Sequence, residues 1–319
     1  MALLCGKGIW LAHSYDLQRG AEIATAIRGT HLLVKVGHGP FYFPETTREM
    51  IQRVRTLGFD PLAWVQLTPR APRAARKTIV EALSRGYVGA VLTLNADGIR
   101  GAAMRALAQA LKNVEIPRKR LMLATPPVSH FQDTEAIEAI APLCQGGWMP
   151  ICTATRGQRA EEVIDREVYH ALGDLSMLWG ATPDVYPVLF PQPRSGDQTF
   201  LPETFIDWVD NVARHGVDFF SVYHAAITVK ALWPMLKAVN IPCLETAGRS
   251  PAEEVPSDAA TLPQPVYIEA KTSDTVWGII TRHGLTKEQF WTWNAHLWDS
   301  RGLPRDPDYL QEGWRLRVK

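Results

Sequence analysis

The sequence lacks any large excess of charge and any long hydrophobic run. Its 34 basic and 33 acidic residues leave a net charge of +1 at pH 7, so the overall charge does not favour nucleic acid as a partner. No stretch approaches the roughly 20 apolar residues that a transmembrane helix needs. The apolar run after Met1 is short and is broken by Lys7. We therefore expect neither a signal peptide nor a membrane span.

Several motifs of catalytic and metal-binding proteins are also missing. The sequence has four cysteines, Cys5, Cys144, Cys152 and Cys243. They show no Cys-x-x-Cys or Cys/His spacing, so we expect them to be reduced and structural, and we expect no bound metal. No Gly-x-Gly-x-x-Gly follows the first apolar run, and no Gly-x-Ser-x-Gly is present, so a dinucleotide cofactor and a nucleophile elbow are both disfavoured. We expect no cofactor.

The first 240 residues contain a repeated unit of about 30 residues, in which a short apolar run precedes a longer amphipathic stretch. The apolar runs are Gly8–Tyr15, Thr30–Gly37, Pro61–Thr68, Gly89–Asn95, Arg120–Pro126, Gly147–Thr153, Asp184–Phe190 and Val217–His224. Eight strand–helix units with nearly continuous apolar strands indicate a parallel sheet covered by helices. Eight is also the number that closes a (β/α)8 TIM barrel, which we predict here. An open doubly wound sheet is the alternative.

Composition divides the chain into three parts. Residues 1–244 form the predicted barrel. Residues 245–265 are rich in Pro, Ala and Ser without hydrophobic periodicity, and this is typical of a linker. Residues 266–319 return to alternating apolar and polar positions and are predicted to form a small α+β domain.

The last segment carries a recognisable order of residues. A strand led by Tyr267 precedes Asp274, Thr275 and Trp277, which open a helix, and Asn294 ends a second helix. The segment closes on Gly-x-x-Leu-x-Val. This order resembles a lysin motif (LysM) domain, whose fold is strand–helix–helix–strand. The resemblance implies binding to peptidoglycan or chitin-like polymers of N-acetylglucosamine, or a role in assembling phage-tail-like machines.

Polar and aromatic residues collect where the predicted strands end, and a TIM barrel carries its function at that face. They suit hydrogen bonding to, and stacking on, a carbohydrate. The predicted ligand-binding residues are His13, Tyr15, Lys35, Trp64, Gln66, Asn95, Gln192, Tyr223 and His224.

The barrel part is similar in style to glycoside hydrolases of the muramidase and chitinase type. The run Gly8–Tyr15 resembles their first strand, and Val217–His224 resembles their last. The resemblance implies a pair of acidic residues two apart on the fourth strand, both pointing into the barrel. With Leu92 and Leu94 facing the helices, those positions fall on Thr93 and Asn95, which cannot protonate a leaving group.

Two other carboxylates remain as candidates for catalysis. Asp97 lies two residues beyond Asn95, and Asp16 follows the first strand, so the pair could act as acid and second carboxylate. Asp16 could equally cap the next helix. A metal site built from His13, His38 and His224 is a further alternative, although histidines at strand ends more often bond to backbone.

These observations favour a non-catalytic protein that binds peptidoglycan or chitin-like glycan, a pseudoenzyme barrel joined to LysM. Assembly into a phage-tail or contractile-injection-like baseplate would explain a wall-binding chain without a visible export signal. We expect it to be made in the cytoplasm and to act at the cell wall or in such a particle. The alternative is an active cell-wall glycoside hydrolase.

Overall fold

The structure is a computed structural model. It describes residues 4–38, 41–43, 48–67, 72–94, 101–112, 116–127, 134–153, 159–191, 202–228, 230–241, 243, 267–270, 276–283, 285, 287–294 and 314–318. The chain divides into two compact units, Met1–Arg249 and Ser250–Lys319. No helix among these residues is long and apolar enough to cross a membrane. The predicted linker 245–265 lies outside the described residues, so its bounds stay a prediction.

The first unit is a closed barrel of eight parallel strands, as the sequence predicted. Strand β1 pairs with both β2 and β9, which closes the sheet and excludes the open alternative. A ninth strand, β3, pairs antiparallel with the end of β2. The strands are β1 Gly6–Leu11, β2 His31–His38, β3 Phe41–Tyr42, β4 Asp60–Gln66, β5 Gly89–Thr93, β6 Leu121–Thr125, β7 Trp148–Thr153, β8 Val188–Phe190 and β9 Phe219–Val222.

Helices follow the strands and cover the outside of the barrel. They are α1 Leu17–Ala26, α2 Arg48–Thr56, α3 Pro72–Arg85, α4 Gly101–Lys112, α5 Glu135–Ile140, α6 Leu172–Trp179, α7 Pro202–Arg214 and α8 Trp233–Ala238. A π-helix, Glu162–Tyr169, precedes α6. The apolar positions expected on one face of α4 and α7 are buried, among them Leu107 and Trp208.

Strand alternation sorts the apolar residues into two cores. On β5, Ala90, Leu92 and Leu94 belong to the large core between the sheet and the helices, whereas Val91 belongs to the core inside the barrel. Because side chains alternate along a strand, Thr93 points inward with Val91. The inward phase predicted for the fourth parallel strand is therefore correct.

Most of the predicted strands are shorter in the structure, and the largest differences are in the first strand and the last two. The last, Val217–His224, contributes only Phe219–Val222. The first ends at Leu11, and Ser14–Asp16 form a 3-10 turn instead. The run Asp184–Phe190 contributes only Val188–Phe190, with one isolated bridge between Val185 and Trp148. Pro187 lacks the N–H that a continuous ladder would need, which accounts for the late start of β8.

The N-terminal end of the barrel is closed covalently. Cys5, just before β1, forms a disulfide with Cys243, just after α8, with their Cα atoms 5.4 Å apart. Our expectation of reduced cysteines is therefore wrong for this pair, which is separated by 238 residues and leaves no local signal. Cys144 and Cys152 are free and buried, as expected.

A buried lysine strengthens the same end. Lys7 is 3% exposed, and its ammonium donates to the carbonyl oxygens of Ile27 at 2.8 Å and Leu236 at 2.6 Å. Ile27 lies at the end of α1 and Leu236 lies in α8, so the cation joins β1 to two helices. Burial, with a smaller contribution from Arg28, lowers the pKa of Lys7 to about 8.

The C-terminal unit contains strand β10 Tyr267–Glu269, helices α9 Val276–His283 and α10 Lys287–Asn294, and strand β11 Arg315–Arg317. The two strands pair antiparallel. The predicted helical face of Val276, Ile279 and Ile280 is buried against Phe290 and Leu316. The described elements thus run strand–helix–helix–strand. Their identification as LysM stays a prediction.

Candidate functional site

Four aromatic side chains meet inside the barrel near the C-terminal ends of the strands. We call Trp10, Trp64, Phe190 and Tyr223 the mouth cluster. The ring centroids of Trp10 and Trp64 are 5.1 Å apart, and Tyr223 lies 5.7 Å from Trp10 and 5.5 Å from Trp64, all edge to face. Phe190 lies 5.2 Å from Tyr223. These are favourable aromatic geometries, so the cluster forms a rigid apolar floor.

Lys35 extends over this floor. Its ammonium lies 4.8 Å from the centroid of the Trp64 ring, within the range of a cation–π contact. The register between β2 and β4 shifts between Lys35 and Gly37, an irregularity of the kind that re-aims side chains near functional sites. Burial lowers the pKa of Lys35.

Two buried polar atoms of the interior have no partner. The Nε1–H of Trp64 and the Oγ1 of Thr93 make no hydrogen bond within the described part of the chain. Trp10 shows the opposite case, since its Nε1–H donates to Oγ of Ser221 at 2.8 Å. Buried polar groups are nearly always paired, so Trp64 and Thr93, on the adjacent strands β4 and β5, offer hydrogen bonds to a ligand or to water.

Asp16 is a buried carboxylate with a structural role. It is 7% exposed, and its Oδ2 accepts the backbone N–H of His13 at 3.1 Å, across the 3-10 turn. Burial raises the pKa of Asp16 to about 6, although the backbone N–H groups of His13 and Ala12 oppose the shift. The carboxylate therefore caps a turn, and it still titrates near neutral pH.

The histidines predicted at this face occupy different surroundings. His13 is exposed and stacks on Tyr15, with ring centroids 4.7 Å apart. Burial and then the charge of Lys35 lower the pKa of both His38 and His224. His224 accepts the backbone N–H of Ala226 on Nδ1 at 3.3 Å. Within the described ranges, no group of three His, Cys, Asp or Glu side chains could hold a metal ion.

Of the remaining predicted ligand-binding and catalytic residues, the structure describes Gln66. Gln66 ends β4 and is half-buried. Asn95, Asp97 and Gln192 lie outside the described residues, so both their ligand-binding and catalytic roles remain predictions.

The structure describes two of the four residues that carry the LysM resemblance. Asp274 and Thr275 lie outside the described residues, and Trp277 is the second residue of α9. Asn294 is the last residue of α10 and is 1% exposed, and its amide donates to the carbonyl oxygen of Phe290 at 3.0 Å. It thus holds the end of a helix.

Sequence reasoning missed half of the mouth cluster. Trp10 was absent from the predicted ligand-binding residues, and so was Phe190. Strand alternation would have identified Trp10, because it stands two residues after Gly8 and therefore lies on the same face of the strand. That face is the interior one, since a Cβ added at Gly8 would lie 2.6 Å from Leu33 and 2.7 Å from Phe219. Phe190 had no such signal, because Pro187 obscures the phase of β8.

A cavity also lies away from the barrel mouth. It measures about 830 Å³ and is lined by residues around Arg159 and by Asp207–Arg214 of α7, all in the helical layer. Its walls mix both signs of charge and contain no aromatic floor comparable to the mouth cluster. We therefore assign the candidate site to the barrel mouth.

Comparison with known proteins supports the fold. No protein-family model and no curated protein matches the sequence. The structure is similar to the catalytic domain of a hyperthermophilic chitinase from Pyrococcus furiosus, with a TM-score of 0.54, 12% identity, and coverage of 73% of this chain and 93% of that chain. It is also similar to a chitinase from Chromobacterium violaceum, with a TM-score of 0.50, 10% identity, and coverage of 73% and 98%. The first unit therefore shares its TIM-barrel fold with these two chitinases.

Proposed function

We propose that the barrel binds a glycan at its mouth and does not cleave it. The observation that carries this proposal is the pair of buried polar groups, Trp64 Nε1–H and Thr93 Oγ1, that have no partner among the described residues. Leaving such a group unpaired costs about 1–3 kcal/mol, so a ligand that supplies the missing bonds gains binding energy there.

The surroundings of these groups suit a sugar. A sugar ring presents hydroxyl groups at its edge and C–H groups on its faces, and the mouth cluster offers an apolar surface beside hydrogen-bonding groups. Tyr223 is half-buried, and burial raises its pKa, so its hydroxyl stays protonated. His224 stays largely neutral at pH 7 because its pKa is lowered, and it can offer hydrogen bonds without charge.

The proposal that the barrel does not cleave its ligand rests on the fourth parallel strand, β5. Thr93 occupies an inward position at which a hydrolase of the resembled type would carry an acid. Among the described residues directly after the strand ends, one carboxylate is present, Asp16, and it caps a turn. Outside the substrate-assisted route, hydrolysis needs two carboxyl groups within about 5–10 Å of each other.

Calorimetric titration with a chitooligosaccharide of five sugars tests the binding. We expect Thr93→Val, which keeps the shape of the side chain, and Trp64→Phe, which removes the indole N–H with part of the ring, each to weaken binding about fivefold to tenfold. Thr78→Val is the matched control, since Thr78 is equally buried but lies on α3. Unchanged affinity in both mouth variants would contradict the proposal. So would the release of shorter sugars after long incubation, because the proposal excludes turnover.

The same proposal assigns the C-terminal unit to wall attachment as a LysM domain. The order of its elements and the residues Asp274, Thr275, Trp277 and Asn294 support this role. We further propose that the protein works outside the reducing cytoplasm, at a cell wall or in a phage-tail-like particle. The Cys5–Cys243 disulfide supports that location, because such bonds persist in oxidising surroundings.

Sedimentation with purified peptidoglycan tests attachment. The full chain should co-sediment, and Asp274→Ala combined with Thr275→Ala should reduce the bound fraction while the barrel's unfolding midpoint stays unchanged. Equal sedimentation of the double variant and the wild type would remove the C-terminal unit from the proposal.

A second candidate function, glycoside hydrolysis, is favoured by one observation. Burial raises the pKa of Asp16 to about 6, and a general acid needs a pKa near the working pH. If Asp16 and Asp97 catalyse hydrolysis, peptidoglycan turnover by the wild type should be measurable and should disappear in both Asp16→Asn and Asp97→Asn. Turnover that persists in either variant would exclude this assignment.

A further inference from the structure

Lys35 carries a charge for which the described residues provide no counter-ion. Among the described residues it takes part in no ion pair, whereas Arg85, Arg105 and Lys230 each contact a glutamate. The charged or titratable side chains that act on it are His38 and His224, which share its sign when protonated. In the part of the chain that the structure describes, Lys35 therefore interacts only with charges of its own sign.

Such an arrangement is unfavourable without a ligand. An ammonium that is partly withdrawn from water loses solvation, and the face of Trp64 recovers only part of it. Asp16 does not serve as counter-ion, since its Oδ2 accepts the N–H of His13 and no ion pair joins it to Lys35. A bound anion would restore the lost interaction.

The position of Lys35 also indicates what kind of anion fits. Its ammonium lies over the apolar floor and close to the unpaired donor of Trp64, so the charge must belong to a molecule that also presents a ring to that floor. A sugar that bears a carboxylate meets both conditions. Polymers of N-acetylglucosamine differ in this respect, because chitin is neutral, whereas each muramic acid of a peptidoglycan strand has a lactyl carboxyl group that is a free carboxylate wherever no stem peptide is attached to it.

We propose that the glycan bound at the mouth is an acidic one of the muramic acid type, and that Lys35 selects it over neutral chitin by pairing with its carboxylate. This inference rests on the proposed glycan-binding function. It goes further by naming the ligand class and the residue that determines specificity.

Titration calorimetry of the full chain at pH 7 tests it with three probes of equal length. These are a tetrasaccharide alternating N-acetylglucosamine and N-acetylmuramic acid, the same compound with its carboxylates methyl-esterified, and chitotetraose. We expect the acidic probe to bind at least tenfold more tightly than either neutral probe, as is typical for hydrogen bonds to charged groups. In Lys35→Met that preference should disappear, so that the acidic and the neutral probes bind with equal affinity.

Two further variants localise the effect. Lys35→Arg keeps the charge and should retain most of the preference, whereas Lys112→Met, which removes an exposed lysine at the end of α4, should bind like the wild type. The C-terminal unit is the same in every variant, so a preference that arose there would survive in Lys35→Met and would overturn the proposal.

The outcomes distinguish selection by Lys35 from glycan binding as such. Equal affinity of the wild type for acidic and neutral probes would overturn the selection by Lys35 and leave glycan binding intact. Binding of none of the probes would overturn both. Lys35→Met removes a partly buried charge, so we expect it to fold, and its unfolding midpoint provides the check.

Discussion

A lysine lies near each end of the barrel, and the two lysines differ in whether the protein supplies acceptors for their ammonium groups. At the N-terminal end, the ammonium of Lys7 donates to two helix carbonyl groups, and the Cys5–Cys243 disulfide closes the chain beside it. At the mouth, the ammonium of Lys35 lies over the face of Trp64 and forms no ion pair with any residue that the structure describes. Lys7 thus donates to acceptors of the protein itself, whereas we propose that Lys35 donates to a bound ligand.

The same contrast appears in two buried threonines on neighbouring strands. Thr125 of β6 faces the helices, and its Oγ1 accepts the Nε1–H of Trp148 at 2.9 Å. Thr93 of β5 faces the interior, and its Oγ1 has no partner within the described part of the chain. Of these two threonines, the one that faces the helices is bonded, and the one at the proposed ligand site has no bond among the described residues.

The largest expected effect concerns the disulfide. Replacing both cysteines, as Cys5→Ser with Cys243→Ser, should lower the free energy of unfolding by about 2–5 kcal/mol, because the bond restricts a very long loop in the unfolded chain. Guanidinium unfolding with and without a phosphine reductant measures this. The reductant should destabilise the wild type and leave the double variant unchanged. An equal response of both proteins would show that the bond does not form.

Asp16 should make stability depend on pH. Its pKa is raised from 3.8 to about 6, so the folded state holds its proton more firmly than the unfolded state. The contribution of this group is therefore complete below pH 4, and up to about 3 kcal/mol of it is lost as pH rises through 6. The difference in unfolding free energy between the wild type and Asp16→Asn, measured from pH 4 to 8, should fall over that window. A constant difference would contradict the raised pKa.

The two lysines give a direct comparison of the ends. Lys7→Met removes hydrogen bonds to two buried carbonyl groups and should cost about 1–3 kcal/mol of unfolding free energy. Lys35→Met removes no hydrogen bond and should leave stability unchanged or slightly higher. Denaturant unfolding of both variants measures the difference. If Lys35→Met proved the more destabilising of the two, the contrast between the ends would be wrong.

The threonines should show the smallest effect. Thr125→Val leaves the indole N–H of Trp148 unpaired and should cost about 1–2 kcal/mol, whereas Thr93→Val should change the unfolding free energy by less than about 0.5 kcal/mol. Thermal unfolding of the two proteins, which carry the same chemical change on adjacent strands, is the measurement. Equal losses would mean that Thr93 has a partner.

Much of the barrel was predictable because its signal is local and repeated. Each apolar strand is followed by an amphipathic helix, and alternation around Leu92 and Leu94 placed Thr93 inside. What failed depends on distant or competing interactions. The pairing of Cys5 with Cys243 has no local pattern, and Pro187 shortens β8 in a run whose composition favours a longer strand.

The sequence predicted where the site lies better than it predicted the hydrogen bonding of the side chains there. The residue types at the strand ends indicated Lys35, Trp64 and Tyr223. No sequence pattern shows that the Nε1–H of Trp64 is unpaired while that of Trp10 is bonded, because this depends on Ser221 of β9 lying beside β1 in the closed sheet.

The bond between Cys5 and Cys243 also gives the barrel a ring-like covalent structure, since it joins the start of the first strand to the segment after the last helix. A protease that cuts one peptide bond between these residues would leave both fragments attached to each other. Nicked molecules would migrate as smaller species in electrophoresis only after reduction, and in a protease-rich setting the barrel would survive a single cut as one particle.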